Sequence, residues 1–314
     1  MQPIANGTTQ SEVFKGNGNV LLFSPLIRVQ PTWKPAKYGK FKRIEDKVLL
    51  TQKQSGLLLE EVNLHMKPSY LHKGTRFTLI ASYYFDSAEL GFFHHHFLNA
   101  PKRYKLRIRR YAPNGVWSDE APLIELKSKE SGISRKRRFA LTEDDYERVM
   151  NGETIKMTDE LLALNPKADK EKLLSWMTKI NGLITEFRLK PALKVEYKRL
   201  AFEADDGFRL TIDSGLKVAA VGLNIPEAAG TTAISREIWE KARRLAAKYE
   251  RERDCVVELK HTGRPPQWVG SFLKRHGVTD TSFSKYCWAV HETAKPEISV
   301  PEAAESRLSL ASAY

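Results

Sequence analysis

From Phe41 onward, apolar and polar positions alternate in short runs. FKRIEDKVLL (41–50), RFTLIASYYF (76–85), RYKLRIRRY (103–111), PLIELKSK (122–129), ALKVEYKRLAF (192–202), FRLTID (208–213) and CVVELK (255–260) each show alternation or β-rich composition, which predicts strands. Pro113-Asn114-Gly115, Asp205-Asp206-Gly207 and Ser214-Gly215 punctuate them as turns. Helical spacing interrupts the strands. Thr142 to Met150 opens on a capping Thr142, with Asp145 three residues on. Ala168 to Ile180 places Leu173, Leu174, Met177 and Ile180 on one face, Ile234 to Arg251 is a third helix, and Gln267 to His276 starts behind Pro265-Pro266. Many strands with few helices predict an α+β fold, with a large antiparallel sheet or a closed barrel. Residues 1–37 lack periodicity and are expected to be a flexible segment, 38–292 the folded domain, and 293–314 a disordered tail.

Residues two apart on a strand share a face. Arg103, Lys105, Arg107 and Arg109 therefore lie together, with Tyr104, Leu106 and Ile108 opposite. Arg43, Glu45 and Lys47 align, as do Glu125, Lys127 and Lys129, then Arg209, Thr211 and Asp213, and finally Glu258 and Lys260. A sheet with one solvated face gives the same alternation. The sign of the charges argues for more, because the polar faces are mostly cationic with isolated glutamates. Like charges at 4 Å repel by about 1 kcal/mol in water and more at lower dielectric. Such a face costs stability unless an anion occupies it. Closed into a barrel, these faces would line a cationic channel, and its glutamates would be oxygen ligands for Mg²⁺ or Mn²⁺.

The totals agree. Lys plus Arg number 51 against 38 Asp plus Glu, a net charge of +13 over 314 residues, which suits a polyanionic partner or a surface tuned for solubility. A P-loop is absent, as is any persuasive Ser-His-Asp or Cys-His set. No secretory leader is expected, since the first residues lack a basic stretch followed by an apolar one, and no apolar run approaches the roughly 18 residues of a membrane helix. Cys255 and Cys287 form no disulfide framework, so a reducing cytoplasm is the expected location. Adjacent His94, His95 and His96 cannot all face one ion and are expected at the surface or in packing. Trp176, Trp268 and Trp288 are expected as core or capping aromatics. The basic run Arg135-Lys136-Arg137-Arg138 is a solvated turn, a nucleic-acid patch or a place of substrate capture, and its position beside a cationic strand favours the last.

The ordered series Ser82-Tyr83-Tyr84-Phe85-Asp86, Arg103 to Tyr111, Glu125-Leu126-Lys127, Lys194 to Phe202, Arg209 to Asp213, Val257-Glu258-Leu259-Lys260, Pro265 to Val269 and Ser282 to Tyr286 resembles the VTC (vacuolar transporter chaperone) catalytic domain. That family is a branch of the triphosphate tunnel metalloenzymes, and the resemblance spans about residues 40 to 290. It implies an antiparallel β-tunnel of about eight strands with flanking helices. It further implies a metal-dependent polyphosphate polymerase, an enzyme moving the γ-phosphate of ATP onto a growing chain with Mn²⁺ or Mg²⁺ as cofactor. Arg107, Arg109, Lys127 and Lys285 then match catalytic positions. Lys47, Lys105, Lys136, Tyr197, Arg199, Arg209 and Lys260 are the substrate-binding set, and Glu258 is the metal ligand, with Glu45 and Glu125 as further candidates. Arg43 replaces the first glutamate of the Glu-x-Glu-x-Lys strand common in the wider superfamily, which suits the polymerase branch over a triphosphatase. The competing readings are a tunnel triphosphatase and a non-catalytic module for polyphosphate or inositol phosphates. Nucleic acid is disfavoured because the cationic faces hold few rings. ATP and polyphosphate are the expected partners, with no membrane segment.

Overall fold

A computed structural model describes residues 44–294, apart from 70–74, 76, 132, 223–232, 253–254 and 282. The expected flexible segment 1–37, the tail beyond 294, Arg43 and Ser282 lie outside the described residues. The chain forms β1 (Ile44–Leu50), α1 (Gln52–His65), β2 (Lys67–Pro68), β3 (Thr78–Asp86), α2 (Gly91–Phe97), β4 (Lys102–Pro113), β5 (Leu123–Glu130), β6 (Ile133–Ala140), α3 (Glu143–Met150), α4 (Asp159–Leu164), α5 (Lys170–Phe187), β7 (Lys190–Glu203), β8 (Arg209–Ala220), α6 (Ala233–Glu252), β9 (Cys255–His261), α7 (Gln267–Arg275) and α8 (Lys285–Thr293). The expected strands and helices are all present. The basic run at 135–138 is strand β6, not a turn. Helix α1 was not signalled by periodicity, but a reciprocal cap of Thr51 and Gln54 starts it.

All strand pairings are antiparallel, in the order β1-β9-β8-β7-β3-β4-β5-β6, with β2 beside β7. This corrects the expected closed barrel. The sheet curls into a half-barrel, and no ladder joins β1 to β6 among the described residues. The reason lies at the β1 edge, where the Lys47 N–H donates to Asp280 Oδ1 (2.9 Å) and the Thr281 N–H donates to the Lys47 carbonyl (2.7 Å). Those bonds take the edge groups that closure would need. At the other edge, β6 presents a mostly exposed row of Arg and Lys, and such charge discourages pairing.

The curl is shown by residues from distant strands that meet one short segment. Lys47 on β1 donates to the Phe283 carbonyl (3.3 Å), and Lys105 on β4 donates to Ser284 Oγ (3.0 Å). Packing explains why the curled form holds. Tyr104, Leu106, Ile108, Ile124 and Leu126, the outward faces of β4 and β5, pack on α3, α4 and α5. Val48, Leu50, Leu210, Ile212, Val257 and Leu259 do the same beneath α1 and α7. A third cluster lies on the inward side, where Tyr84, Leu193, Val195 and Val256 meet α2, α6 and α8. The rest of the inner face is left to polar side chains.

Buried Asp86 fixes α8 in this arrangement. Its carboxylate accepts the N–H groups of Ser87 (2.7 Å), Phe92 (2.8 Å) and Phe93 (3.0 Å) and the hydroxyl of Tyr286. The Tyr286 ring stacks on Tyr84 at 5.2 Å. Asp86→Ala strands several buried donors, each worth about 1–3 kcal/mol. The expected loss of unfolding free energy is about 3 kcal/mol by denaturant titration, with a smaller loss for Asp86→Asn.

Candidate functional site

The inward face of β4, β5 and β6 carries Arg103, Lys105, Arg107 and Arg109, then Glu125 and Lys127, then Lys136 and Arg138, as alternation predicts. Glu125 is fully buried, with Arg107 on one oxygen and Lys136 Nζ 2.5 Å from the other. Burial alone would raise its carboxyl, but Arg107, Arg109 and Lys136 hold it well below the usual carboxylate range. Arg107 also donates to the Tyr84 hydroxyl (3.1 Å). Arg109 hydrogen-bonds the hydroxyls of Tyr197 (3.5 Å) and Tyr111 and makes no ion pair with a described carboxylate, and Lys105 donates to Ser284 Oγ. Lys127 makes no ion-pair contact with a described carboxylate, and burial with nearby Arg107 pushes its ammonium down to about 8. Ser82 Oγ, Arg107 Nε, Arg109 Nε and Thr211 Oγ1 are buried on the same inner face without partners.

The wall built by β7, β8, β9, β1 and α8 is different. Asp213, fully buried, accepts Nε and Nη2 of Arg199 (2.6 Å each), and Lys285 Nζ lies 2.6 Å from its Oδ2. Glu258 lies 3.1 Å from Lys260, 3.5 Å from Lys285 and 3.8 Å from Arg199. Burial would raise both acids, but the cations around them keep both ionised. Burial alone would lower the Lys285 ammonium, yet Asp213 and Glu258 raise it. Arg209 pairs with Glu203 (2.6 Å), and Lys47 lies 3.6 Å from Glu45. Tyr197 lies beneath Lys285, its ring centre 5.0 Å from Nζ.

The sequence-expected residues therefore converge on one inner face, with Arg209 and Lys260 set towards the end where β8 begins and β9 ends. Asp213, the acid that pairs with both Arg199 and Lys285 on this face, was given no role by the sequence reading. Its signal was its place on the Arg209-Thr211 face. Among the described residues no three His, Cys, Asp or Glu converge as a protein-only metal cage. Glu45 and Glu258 are diagonal neighbours on the inner face through the pairing of β1 with β9. That donor set fits the magnesium mode, in which one or two carboxylates leave the other positions to water and phosphate. Glu125 does not fit, since it is fully buried with Arg107 and Lys136 held close on its two oxygens, whereas the cations around Glu258 stand off at 3.1 to 3.8 Å. His94 to His96 lie on the short helix α2 and group with no metal-ligating cluster. Burial, with Lys105, Arg103 and Lys47 nearby, pushes the His96 imidazole down to about 3.

The sequence profile of the VTC domain matches residues 42–293. Vacuolar transporter chaperone complex subunit 4 of Trypanosoma brucei brucei is 30% identical over 167 residues, which is 47% of this chain and 21% of that protein. The alignment thus spans about a fifth of that relative's length. Among solved structures, the PH1819 protein from Pyrococcus Horikoshii OT3 is 12% identical, covering 80% of this chain and 99% of that one at a TM-score of 0.39. The inorganic triphosphatase NE1496 is 10% identical, covering 72% and 83% at a TM-score of 0.18. Both structural overlaps are slight.

The two arginines of β4 should respond differently to deletion. Arg109→Ala removes a cation that lies beside Arg107 and acts on Glu125 without an ion-pair contact, so unfolding free energy should hold nearly level. Arg107→Ala strips a buried carboxylate of one of its two cations and should cost about 2–3 kcal/mol. Equal destabilisation of both in denaturant titrations would contradict this division.

Proposed function

As the chain belongs to the VTC domain family, we propose that its cationic channel holds the triphosphate of ATP beside a polyphosphate chain and transfers the γ-phosphoryl group between them. The observation that carries this reading is that Lys105, Arg109 and Lys127 are largely buried without carboxylate partners, while the facing wall is acid-paired. Unpaired buried charge costs several kcal/mol. A phosphate chain supplies the missing anions and acceptors for the stranded Ser82, Arg107, Arg109 and Thr211 groups.

In this reading Lys47, Arg107, Arg109 and Lys127 clamp the nucleotide triphosphate. Lys105, Lys136 and Tyr197 extend the contact surface, and Lys260 and Arg209 receive anionic oxygens near one end. Arg199 and Lys285, aimed by Asp213, steer the terminal phosphate of the chain. An oxygen of that phosphate forms the new bond to the γ-phosphorus, the bond from the γ-phosphorus to the β–γ bridging oxygen breaks, and ADP leaves. The chemistry is positioning and charge neutralisation, so no protein nucleophile is required. Mg²⁺ or Mn²⁺ at Glu258, with Glu45 beside it, would offset charge on the phosphate oxygens.

Pure protein incubated with ATP and Mn²⁺ or Mg²⁺ should yield ADP and polyphosphate. ADP with free phosphate alone would identify a tunnel triphosphatase. Polyphosphate binding without ADP would identify a binding module. Glu258→Gln should cut ADP formation by orders of magnitude and leave polyphosphate affinity level or tighter, because one repelling carboxylate is gone. Unaltered turnover across a metal titration would remove Glu258 from the reaction.

Lys127 gives the site a pH signature. Its proton is held more weakly in the empty folded protein than in the unfolded chain, so folding gains stability as pH rises through about 8. Bound phosphate favours the charged form. Tripolyphosphate affinity should therefore fall as pH rises above about 8, and Lys127→Arg should flatten that decline in calorimetric titrations. An identical pH profile in the variant would show that Lys127 is not the titrating group.

A further inference from the structure

We propose that the rim where β4 begins and β5 ends carries a second phosphate-chain subsite, built by Arg103 and Lys129, that holds polyphosphate beyond the channel. The inference rests on the channel reading above and extends it. Arg103 pairs in register with Lys129, directly beside the Lys105–Lys127 pair on the same inward face. Like charges placed opposite one another on neighbouring strands are destabilising, and here two such pairs follow in succession. The nearby Glu130 pairs with Lys179 instead (3.7 Å). The Arg103 guanidinium donates to the neutral side chain of Asn99 (2.8 Å), and Lys129 makes no ion pair with a described residue.

The density of charge at this rim is visible in His96. Its imidazole lies among Arg103, Lys105 and Lys47 and is held neutral by burial and by those cations. At about 3.4 Å per residue, the ladder from Arg109 to Arg103 runs for roughly 20 Å. A triphosphate is far shorter than that. The outer rungs thus suit a longer chain, and their position, with Arg103 half-buried and Lys129 exposed, suits a segment already clear of the reacting atoms. The tyrosine rings of this face, Tyr84, Tyr111 and Tyr197, sit at the Arg107 and Arg109 rungs and not at the Arg103–Lys129 rung, so an inorganic polyanion fits the rim better than a nucleic acid.

The test compares calorimetric affinities for tripolyphosphate and for long-chain polyphosphate at physiological salt. It uses the parent protein, the double variant Arg103→Ala with Lys129→Ala, and a control carrying Arg243→Ala with Arg244→Ala on the exposed side of α6. The rim variant should lose about tenfold more affinity for the long chain than for tripolyphosphate. The control, which removes the same charge, should show no such difference. Equal loss for both lengths, or a loss matched by the control, overturns the subsite. An oligonucleotide that displaces the long chain at equal phosphate number also overturns it, in favour of a nucleic-acid surface. Failure of the parent protein to bind either polyanion overturns the channel reading itself, and the subsite with it.

Discussion

The constraint on which the rest of the structure depends is the crowding of cations on the inner face of one curled sheet. Charges at such distances repel most strongly where solvent is scarce, so the fold must stabilise them or leave room for an anion. It does both, on opposite walls. Asp213 and Glu258 fix Arg199, Lys285 and Lys260 through close pairs on the wall that includes β8 and β9. On the β4–β5 wall, Glu125 serves Arg107 and Lys136, and the neighbouring cations face the interior without a carboxylate.

This division has a mechanical basis. Three apolar clusters bear the packing, two of them on the outer faces of the sheet and one at the inner end beneath α8. Because burial there supplies the favourable free energy, the remaining inner surface can be strained electrostatically without loss of the fold. The acid-paired cations are held in place before a ligand arrives, which lowers the cost of ordering them. In the proposed reading the unpaired ones supply the affinity, since their charge would gain most from a bound anion.

Helix α8 and the residues just before it join the two walls. Phe283 and Ser284 accept lysines from β1 and β4, Lys285 enters the acid pair on β8 and β9, and Tyr286 locks to Asp86 and Tyr84. Four consecutive residues therefore set the relative position of strands far apart in sheet order. The same stretch explains why the half-barrel needs no closing ladder. Asp280 and Thr281 occupy the β1 edge, and α8 ties the inner side across the gap.

The local alternation along each strand by itself determined which side chains face inward, because a period of two leaves no choice once a strand forms. Arg107, Arg109, Lys127 and Glu258 were legible for that reason, as were the turns and the long amphipathic helices. Helix α8 was not legible. Lys285 to Val290 are buried all round, so no polar stripe marks the helical period. The pairing of charges was equally hidden. Whether a cation is neutralised depends on contacts such as Lys285 with Asp213, made between residues distant in the chain. The open edge between β1 and β6 was also a tertiary decision, since no strand pattern tells that a loop near residue 280 will take the hydrogen bonds of β1. Sequence thus set the faces, and the curl of the sheet around α8 decided which charges meet an acid and which wait for an anion.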